Sequence, residues 1–413
     1  MVRYFFSLLL MLCFIVPVHS QGLKAGAAQQ LINPEKDSLY FAGGKPNRPF
    51  VDVHDNLYAK AVVLEDAKTA FAIVSFDCIG LMYPELQRIR EKVKTLLPSF
   101  SVDHIVSSST HTHAGPDVVG IWGKNIQQSG VVDKHMDLIV ERATTAIVDA
   151  WKGRKPVKVS YATGTFGEDW VKNISEPGLL DRTVSIVKMT DDQNKNVATM
   201  VNFACHPTIL DDYATAASSD YVGGYYRYAD SVQGGVNMFL QGAIGGWVQP
   251  EDVPSSYENA MRYGGSLGAY VFNQLRQSKT LSQTSLQFKS RVVKFPVQNN
   301  TFKVLSGMGT IKRKFSDSVQ SEIAVFNIGN ISFVTHPGET SPALGLLSRQ
   351  MVNKGGPIFV MGLSMDALGY ILKPVYFNKG NTIPHSEYLT GMSIGPDTMP
   401  IIEKVLTDLT RNR

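Results

Sequence analysis

The residues best suited to chemistry lie in Ser107-Ser108-Ser109-Thr110-His111-Thr112-His113-Ala114-Gly115-Pro116. The apolar lead-in His104-Ile105-Val106 predicts a buried strand, and Ala-Gly-Pro ends it. On extended backbone, histidines at i and i+2 project to one face, because side chains alternate with period 2. Same-facing imidazoles suit one metal with two ligands, or one ligand beside a polarising group. Two hydrogen-bonded polar residues at a strand end would leave the same trace.

Other polar residues stand in the same relation to apolar runs. His206 follows the run over 197–204, in Cys205-His206-Pro207-Thr208. Glu339 follows 331–335, in Thr335-His336-Pro337-Gly338-Glu339-Thr340, and Tyr370 follows 358–363. Ligands of open α/β sheets bind outside the carboxyl ends of strands. Two histidines and a carboxylate with open positions form a catalytic-type zinc set. Taken singly, His206 or His336 reads equally as a structural histidine and Glu339 as a helix cap. Asp77 ends the strand expected beside the one that leads to His111. It could therefore accept an N–H from a ligating imidazole, a second layer of support for the metal, or simply cap the strand end or serve in a turn.

The elements that must position these residues alternate between strand and helix. Apolar runs predict strands over 70–76, 105–109, 157–162, 184–189, 197–204, 236–240, 286–297, 323–328, 331–335 and 358–363. Three- and four-residue apolar spacing predicts helices over 84–97, 132–152, 257–277 and 343–352. Strand–helix–strand runs imply parallel pairing. The expected fold class is α/β: mixed, largely parallel β-sheets layered with α-helices, with a metal site at the carboxyl ends of strands. No repeat, low-complexity tract or long linker divides the chain.

Composition narrows the function classes. The 413 residues are 44% hydrophobic, ordinary for a chain with a sizeable core, and the net charge is only +4 against 40 basic and 36 acidic residues. Nothing there favours nucleic acid or an anionic membrane as partner. Arg3, an apolar run over 4–16 and Val18-His19-Ser20 before Gln21 predict a signal peptide over 1–20, hence export to a periplasm or the exterior. No later stretch has the length of a membrane span. Residues 21–413 are expected to form a single domain. Cys78 and Cys205 then remain, and both end apolar strands, which favours buried free thiols over a disulfide.

The chain resembles the neutral/alkaline non-lysosomal ceramidases, through their N-terminal domain. Val53-His54-Asp55-Asn56-Leu57-Tyr58-Ala59-Lys60-Ala61 and Val74-Ser75-Phe76-Asp77 open the resemblance, and Thr110-His111-Thr112-His113-Ala114-Gly115-Pro116 is its most specific element. Val201-Asn202-Phe203-Ala204-Cys205-His206-Pro207-Thr208, Pro337-Gly338-Glu339-Thr340 and the tyrosine after Leu363 complete it in the family's order. The resemblance spans nearly the whole mature chain, without the family's C-terminal immunoglobulin-like domain. It implies one zinc ion per chain, held by His111, His206, Glu339 and Tyr370, with His113 facing the substrate oxygen and Tyr370 also able to donate a proton. It further implies a lipid amide substrate met in transient contact with a membrane surface, and so a place in sphingolipid metabolism.

Departures from the family pattern are as informative. Where the family carries Gly-Asp-x-Ser-Pro, this chain has Gly245-Gly246-Trp247-Val248-Gln249. Val248 cannot be a hydroxyl nucleophile, Gly246 cannot be a base, and no arginine follows Asn173. Gly246 and Trp247 are expected instead to shape a remodelled substrate pocket. Two functions follow. One is a zinc-dependent hydrolase that cleaves the amide bond of an N-acylated, ceramide-like lipid or a related small amide through a zinc-activated water. The other is a catalytically weak, metal-containing protein that binds a ligand in the same pocket.

Overall fold

A computed structural model of the chain describes residues 22–35 and 39–411. The signal peptide expected over 1–20 lies outside the described residues.

Two five-stranded sheets pack face to face. The first runs Ile105–Ser109, Ala70–Phe76, Tyr58–Glu65, Lys24–Leu31, Lys155–Pro156 in spatial order. The second runs Val236–Gln241, Asn196–Phe203, Thr183–Thr190, Lys158–Thr165, Lys279–Thr280. Helices Tyr83–Leu96 and Asp133–Lys152 cover the outer face of the first, and Tyr221–Val232 and Tyr257–Leu275 that of the second. Strands covered on both faces have no polar side, which is why Tyr58–Glu65 is buried along nearly its whole length. Polar side chains that do fall between the sheets are tied off. Ser75 Oγ donates to the Phe239 carbonyl at 2.7 Å and Lys60 Nζ to that of Asn237 at 2.9 Å.

A third sheet runs Leu286–Pro296, Ser318–Ile328, Ile331–Thr335, Ile358–Met361. Phe288, Phe326, Phe333 and Phe359 are successive cross-strand partners on it. Their rings stack at centroid distances of 5.6, 4.8 and 4.5 Å, a ladder that fixes the register. Asn202 joins this sheet to the second: its amide donates to the Val360 carbonyl at 2.9 Å and accepts from the Val360 N–H at 3.1 Å.

The expectation of largely parallel sheets is not met. In each large sheet one pair is parallel and the others are antiparallel: Ala70–Phe76 with Ile105–Ser109, Asn196–Phe203 with Val236–Gln241, and Ile331–Thr335 with Ile358–Met361. Those three pairs are the ones bridged by a helix; short connections such as 66–69, 191–195 and 329–330 turn the chain straight back and force antiparallel pairing. The three parallel pairs meet at the centre of the molecule with their carboxyl ends together. Ser109 N–H bonds the Leu363 carbonyl at 3.0 Å, and Gly362 N–H bonds that of Gln241 at 3.0 Å. One such end comes from each sheet.

Candidate metal centre

His111, His206 and Glu339 are carried to one point by those three ends. His111 follows Ile105–Ser109, and His206 follows Asn196–Phe203. Glu339 and Tyr370 are direct partners in a two-stranded parallel bridge just beyond the third pair. The Glu339 carboxylate lies 3.4 Å from His111 Nε2 and 3.1 Å from His206 Nε2. His113 adds a third ring, its Nε2 at 3.4 Å from that of His111. Among the described residues, one ring nitrogen from each of His111, His113 and His206 lies within 4.8 Å of the others.

The imidazoles converge for a different reason from the one their spacing suggests. The strand stops at Ser109 and His111 has φ 70°, so the backbone between the histidines is not extended. A left-handed turn at His111, closed by its N–H on the Cys78 carbonyl at 2.9 Å, aims the two rings at each other. Strand alternation plays no part.

Backbone carbonyls orient the rings. His111 Nδ1 lies 2.5 Å from the Ile79 carbonyl and His206 Nδ1 2.8 Å from that of Val248. A carbonyl only accepts, so each Nδ1 carries the hydrogen and each neutral ring offers its Nε2 lone pair to the centre. Those lone pairs face a carboxylate oxygen, an arrangement that holds together only if the rings are charged or a cation sits among them. The donor set therefore fits a metal ion, with two nitrogens and a carboxylate in zinc-type chemistry. Burial alone would raise the Glu339 carboxyl, but His111 and His206 outweigh it and hold it well below the usual carboxylate range. Burial, and then the neighbouring Glu339 charge, push the Tyr370 phenol far above its ordinary value.

The remaining expected residues fall in different places. Asp77 does not support an imidazole. Its carboxylate accepts from the Tyr58 N–H at 2.9 Å and the Tyr226 hydroxyl at 3.3 Å, and the Ile79 carbonyl takes the His111 hydrogen instead. Chain proximity at a strand end did not translate into a contact, because Asp77 points across the sheet to Tyr58 on the neighbouring strand. Gly246 and Trp247 lie one layer behind the pocket wall. Trp247 packs on His385 and Tyr388 at centroid distances of 4.7 and 5.3 Å and its side chain bonds to that of Tyr370. Val248 is wholly buried in an apolar cluster, and its contribution to the site is its carbonyl.

Two positions give no advance notice in the sequence. Gln241, buried between the strand ends, donates to the Thr110 and Cys205 carbonyls, both at 2.9 Å. Its only signal is an amide ending an apolar strand. Asp211 accepts from His113 Nδ1 at 3.0 Å. It sits in a loop where Asp211-Asp212 reads as ordinary surface. Burial, partly offset by Asp211, lowers the pKa of the His113 ring from its ordinary value.

A cleft of about 710 Å³, its mouth included, opens onto His111, His113, Glu339 and Tyr370. Its walls are apolar, with Ile79, Met82, Ile121, Phe302, Ile311 and Phe315 among them.

Comparison with known proteins shows similarity to ceramidases in sequence over part of the chain and in fold. Residues 44–243 match the family described as neutral/alkaline non-lysosomal ceramidase, N-terminal. Neutral ceramidase A of Dictyostelium discoideum is 24% identical over 193 residues, covering 41% of this chain and 26% of that protein, so the chain matches about a quarter of the relative's length. The crystal structure of neutral ceramidase from Pseudomonas aeruginosa superposes with a TM-score of 0.76 at 16% identity, over 95% of this chain and 75% of that one. A ceramidase complexed with C2 gives 0.79 at 15% identity, over 94% and 75%. At such identities the structures speak for a shared fold. Over residues 44–243 the chain is similar to the N-terminal domain of the neutral/alkaline non-lysosomal ceramidases, and it shares the fold of solved ceramidases.

Proposed function

We propose that this protein is an exported, zinc-dependent hydrolase that cleaves the amide bond of an N-acylated lipid or a related small amide. The observation that carries the reading is the position of His111, His206 and Glu339 at the polar end of an apolar cleft. The ceramidase names of its relatives support a lipid amide, and the apolar run over 4–16 supports export to a periplasm or the exterior.

Each part of the cleft has a task. Ile79, Phe302, Ile311 and Phe315 take an acyl chain out of water, and the amide comes to rest where the wall turns polar. A zinc ion held by His111, His206 and Glu339 would lower the pKa of a water toward neutrality and polarise the carbonyl. Tyr370 remains protonated and donates, either to Glu339 or to the oxygen and nitrogen of the amide. Val248, with no hydroxyl and no exposure, leaves water as the nucleophile. A lipid substrate would be drawn from a membrane surface through transient contact; no helix of the described residues is long and apolar enough to cross a membrane.

The test is turnover of a panel of N-acyl amides, varied in chain length and head group, by zinc-loaded protein. Activity is expected to vanish with chelator, return with zinc, and show no burst from an acyl-enzyme. Zinc-loaded protein that binds the amides without cleaving any would point to the ligand-binding function instead.

A further inference from the structure

Two segments, 118–132 and 300–315, wall one side of the cleft. Val119, Ile121 and Trp122 come from the first, and Phe302, Ile311 and Phe315 from the second. They meet tightly. Thr310 Oγ1 donates to the Ile126 carbonyl at 2.7 Å, and a Cβ at Gly120 would stand 1.9 Å from the Thr310 carbonyl oxygen, so only glycine fits at that crossing. Both segments also carry large apolar side chains into water. Ile126 is 62% exposed, Val304 58% and Met308 48%. A single exposed apolar residue needs no explanation. Three on the segments that form one wall of a cleft do.

Their presentation is built into the fold. The buried Asp117 carboxylate accepts from the N–H groups of Val119, Gly120 and Trp122 at 2.8, 2.7 and 2.9 Å, which fixes the start of the first segment. Asn125 Oδ1 accepts from the N–H groups of Gln127 and Gln128 at 3.0 and 3.1 Å, closing a turn around Ile126. In the second segment Asn299 caps helix Asn300–Gly307 by accepting from the Phe302 N–H at 3.1 Å. Phe302 and Leu305 of that helix are buried, so Val304 and Met308, four residues apart, share its outward side. Charge is lopsided here as well. The two segments contain Lys124, Lys303, Lys312, Arg313 and Lys314 and no aspartate or glutamate. Arg313 is buried on Asp366, and Lys303 and Lys312 pair with Asp317 and Asp133. Lys124 and Lys314 are exposed and pair with no acid among the described residues. The small net charge of the whole chain conceals this local excess.

We propose that this face docks on an anionic lipid bilayer, with Ile126, Val304 and Met308 entering the headgroup boundary while Lys124 and Lys314 meet its negative charge. This rests on the lipid-amide reading above and deepens it: the partner surface and its charge are named. A few apolar side chains or a few lysines attach a protein only weakly; together they give reversible binding. Seated so, the bilayer abuts the apolar wall, and an acyl chain leaves lipid for the cleft with little exposure to water.

Co-sedimentation of the mature chain with vesicles reads the contact without any turnover. Binding is expected to vesicles of phosphatidylcholine with phosphatidylglycerol, weaker with added salt and much weaker on phosphatidylcholine alone. Ile126→Ser with Met308→Ser should lower affinity for the anionic vesicles by roughly tenfold or more. Lys124→Gln and Lys314→Gln should each lower it about fivefold. Val292→Ser is the control: Val292 is 54% exposed on strand Leu286–Pro296, outside the cleft wall, and its loss should change nothing. All these side chains are exposed, so the variants should fold, and circular dichroism checks that they do. No binding to anionic vesicles, equal binding to both vesicle types, or rim variants that lose no more than Val292→Ser would overturn the proposal. So would a concentration-dependent dimer broken by Ile126→Ser with Met308→Ser, since the face would then belong to a second copy of the chain. Vesicle binding without cleavage of any soluble N-acyl amide would reject the proposed reaction and leave this docking face standing; cleavage without vesicle binding would do the reverse.

Discussion

Replacing Gln241 by methionine keeps the volume of the side chain and removes its amide. Nε2 donates to the carbonyls of Thr110 and Cys205, and Oε1 accepts from the N–H groups of Gly242 at 2.9 Å and Cys205 at 3.4 Å. Two of these four groups have a second partner. The Gly242 N–H also reaches the Phe203 carbonyl at 2.9 Å, and the Tyr221 hydroxyl donates to the Cys205 carbonyl at 2.6 Å. The loss therefore falls on the Thr110 carbonyl and the Cys205 N–H. Stripping a buried polar group costs about 1–3 kcal/mol, and the Cys205 contact is long, so the variant should lose about 2–4 kcal/mol. Thr110 and Cys205 immediately precede His111 and His206, so the same change should weaken zinc binding roughly tenfold, as loss of a supporting partner does. Urea unfolding of metal-free protein reads the first effect, and chelator competition reads the second. If the metal-free midpoint and the zinc affinity both match wild type, Gln241 does not join the strand ends and the argument fails.

Further expectations are narrower. Burial lowers the His336 pKa to about 3 from an ordinary 6.5, so below pH 6.5 the unfolded chain takes up a proton that the fold refuses. Its share of stability is complete above pH 6.5 and is lost as pH falls toward 3, at about 1.4 kcal/mol per unit. His336→Gln should flatten that slope in urea midpoints measured across the window; an unchanged slope would place the acid sensitivity elsewhere. Cys78 and Cys205 are free and buried, with the Cys78 thiol pushed up to about 12 by burial. Both should resist a thiol reagent in native protein and react in denaturant, and fast native labelling of either would contradict the packing. Val248→Ser with Gly246→Asp restores the family's residue types, yet position 248 faces an apolar cluster and Gly246 has φ 83°. Mass spectrometry should find no acyl-enzyme, and the variant should lose about 1–3 kcal/mol through the buried hydroxyl and the strained backbone.

Apolar runs revealed most strands of the three sheets, because strands covered on both faces have to be apolar throughout. Pairing direction was less legible: helical crossovers announce parallel pairs, whereas the hairpin links depend on which neighbour each strand finds. Helix Tyr221–Val232 was hidden by Gly223-Gly224. Those glycines weaken a helical pattern on paper, but a Cβ at Gly224 would lie 2.5 Å from the Met261 carbonyl oxygen, so one of them permits close packing on Tyr257–Leu275. His111, His206 and Glu339 were visible through their common place after apolar strands. Asp211 and Gln241 were not, since what each does depends on partners far away in sequence. Asp77 shows the converse error, in which adjacency along the chain was taken for contact.

The meeting of three parallel strand ends also bears on the order of folding. Each end belongs to a strand–helix–strand unit that closes a short loop, whereas bringing the three units together closes long ones at a greater entropic cost. The constellation of His111, His206 and Glu339 exists only after all three have docked. Capture of the proposed metal would then be a late event in folding, and if the site takes zinc, the rate at which refolding protein acquires it would be a clock for the last docking step.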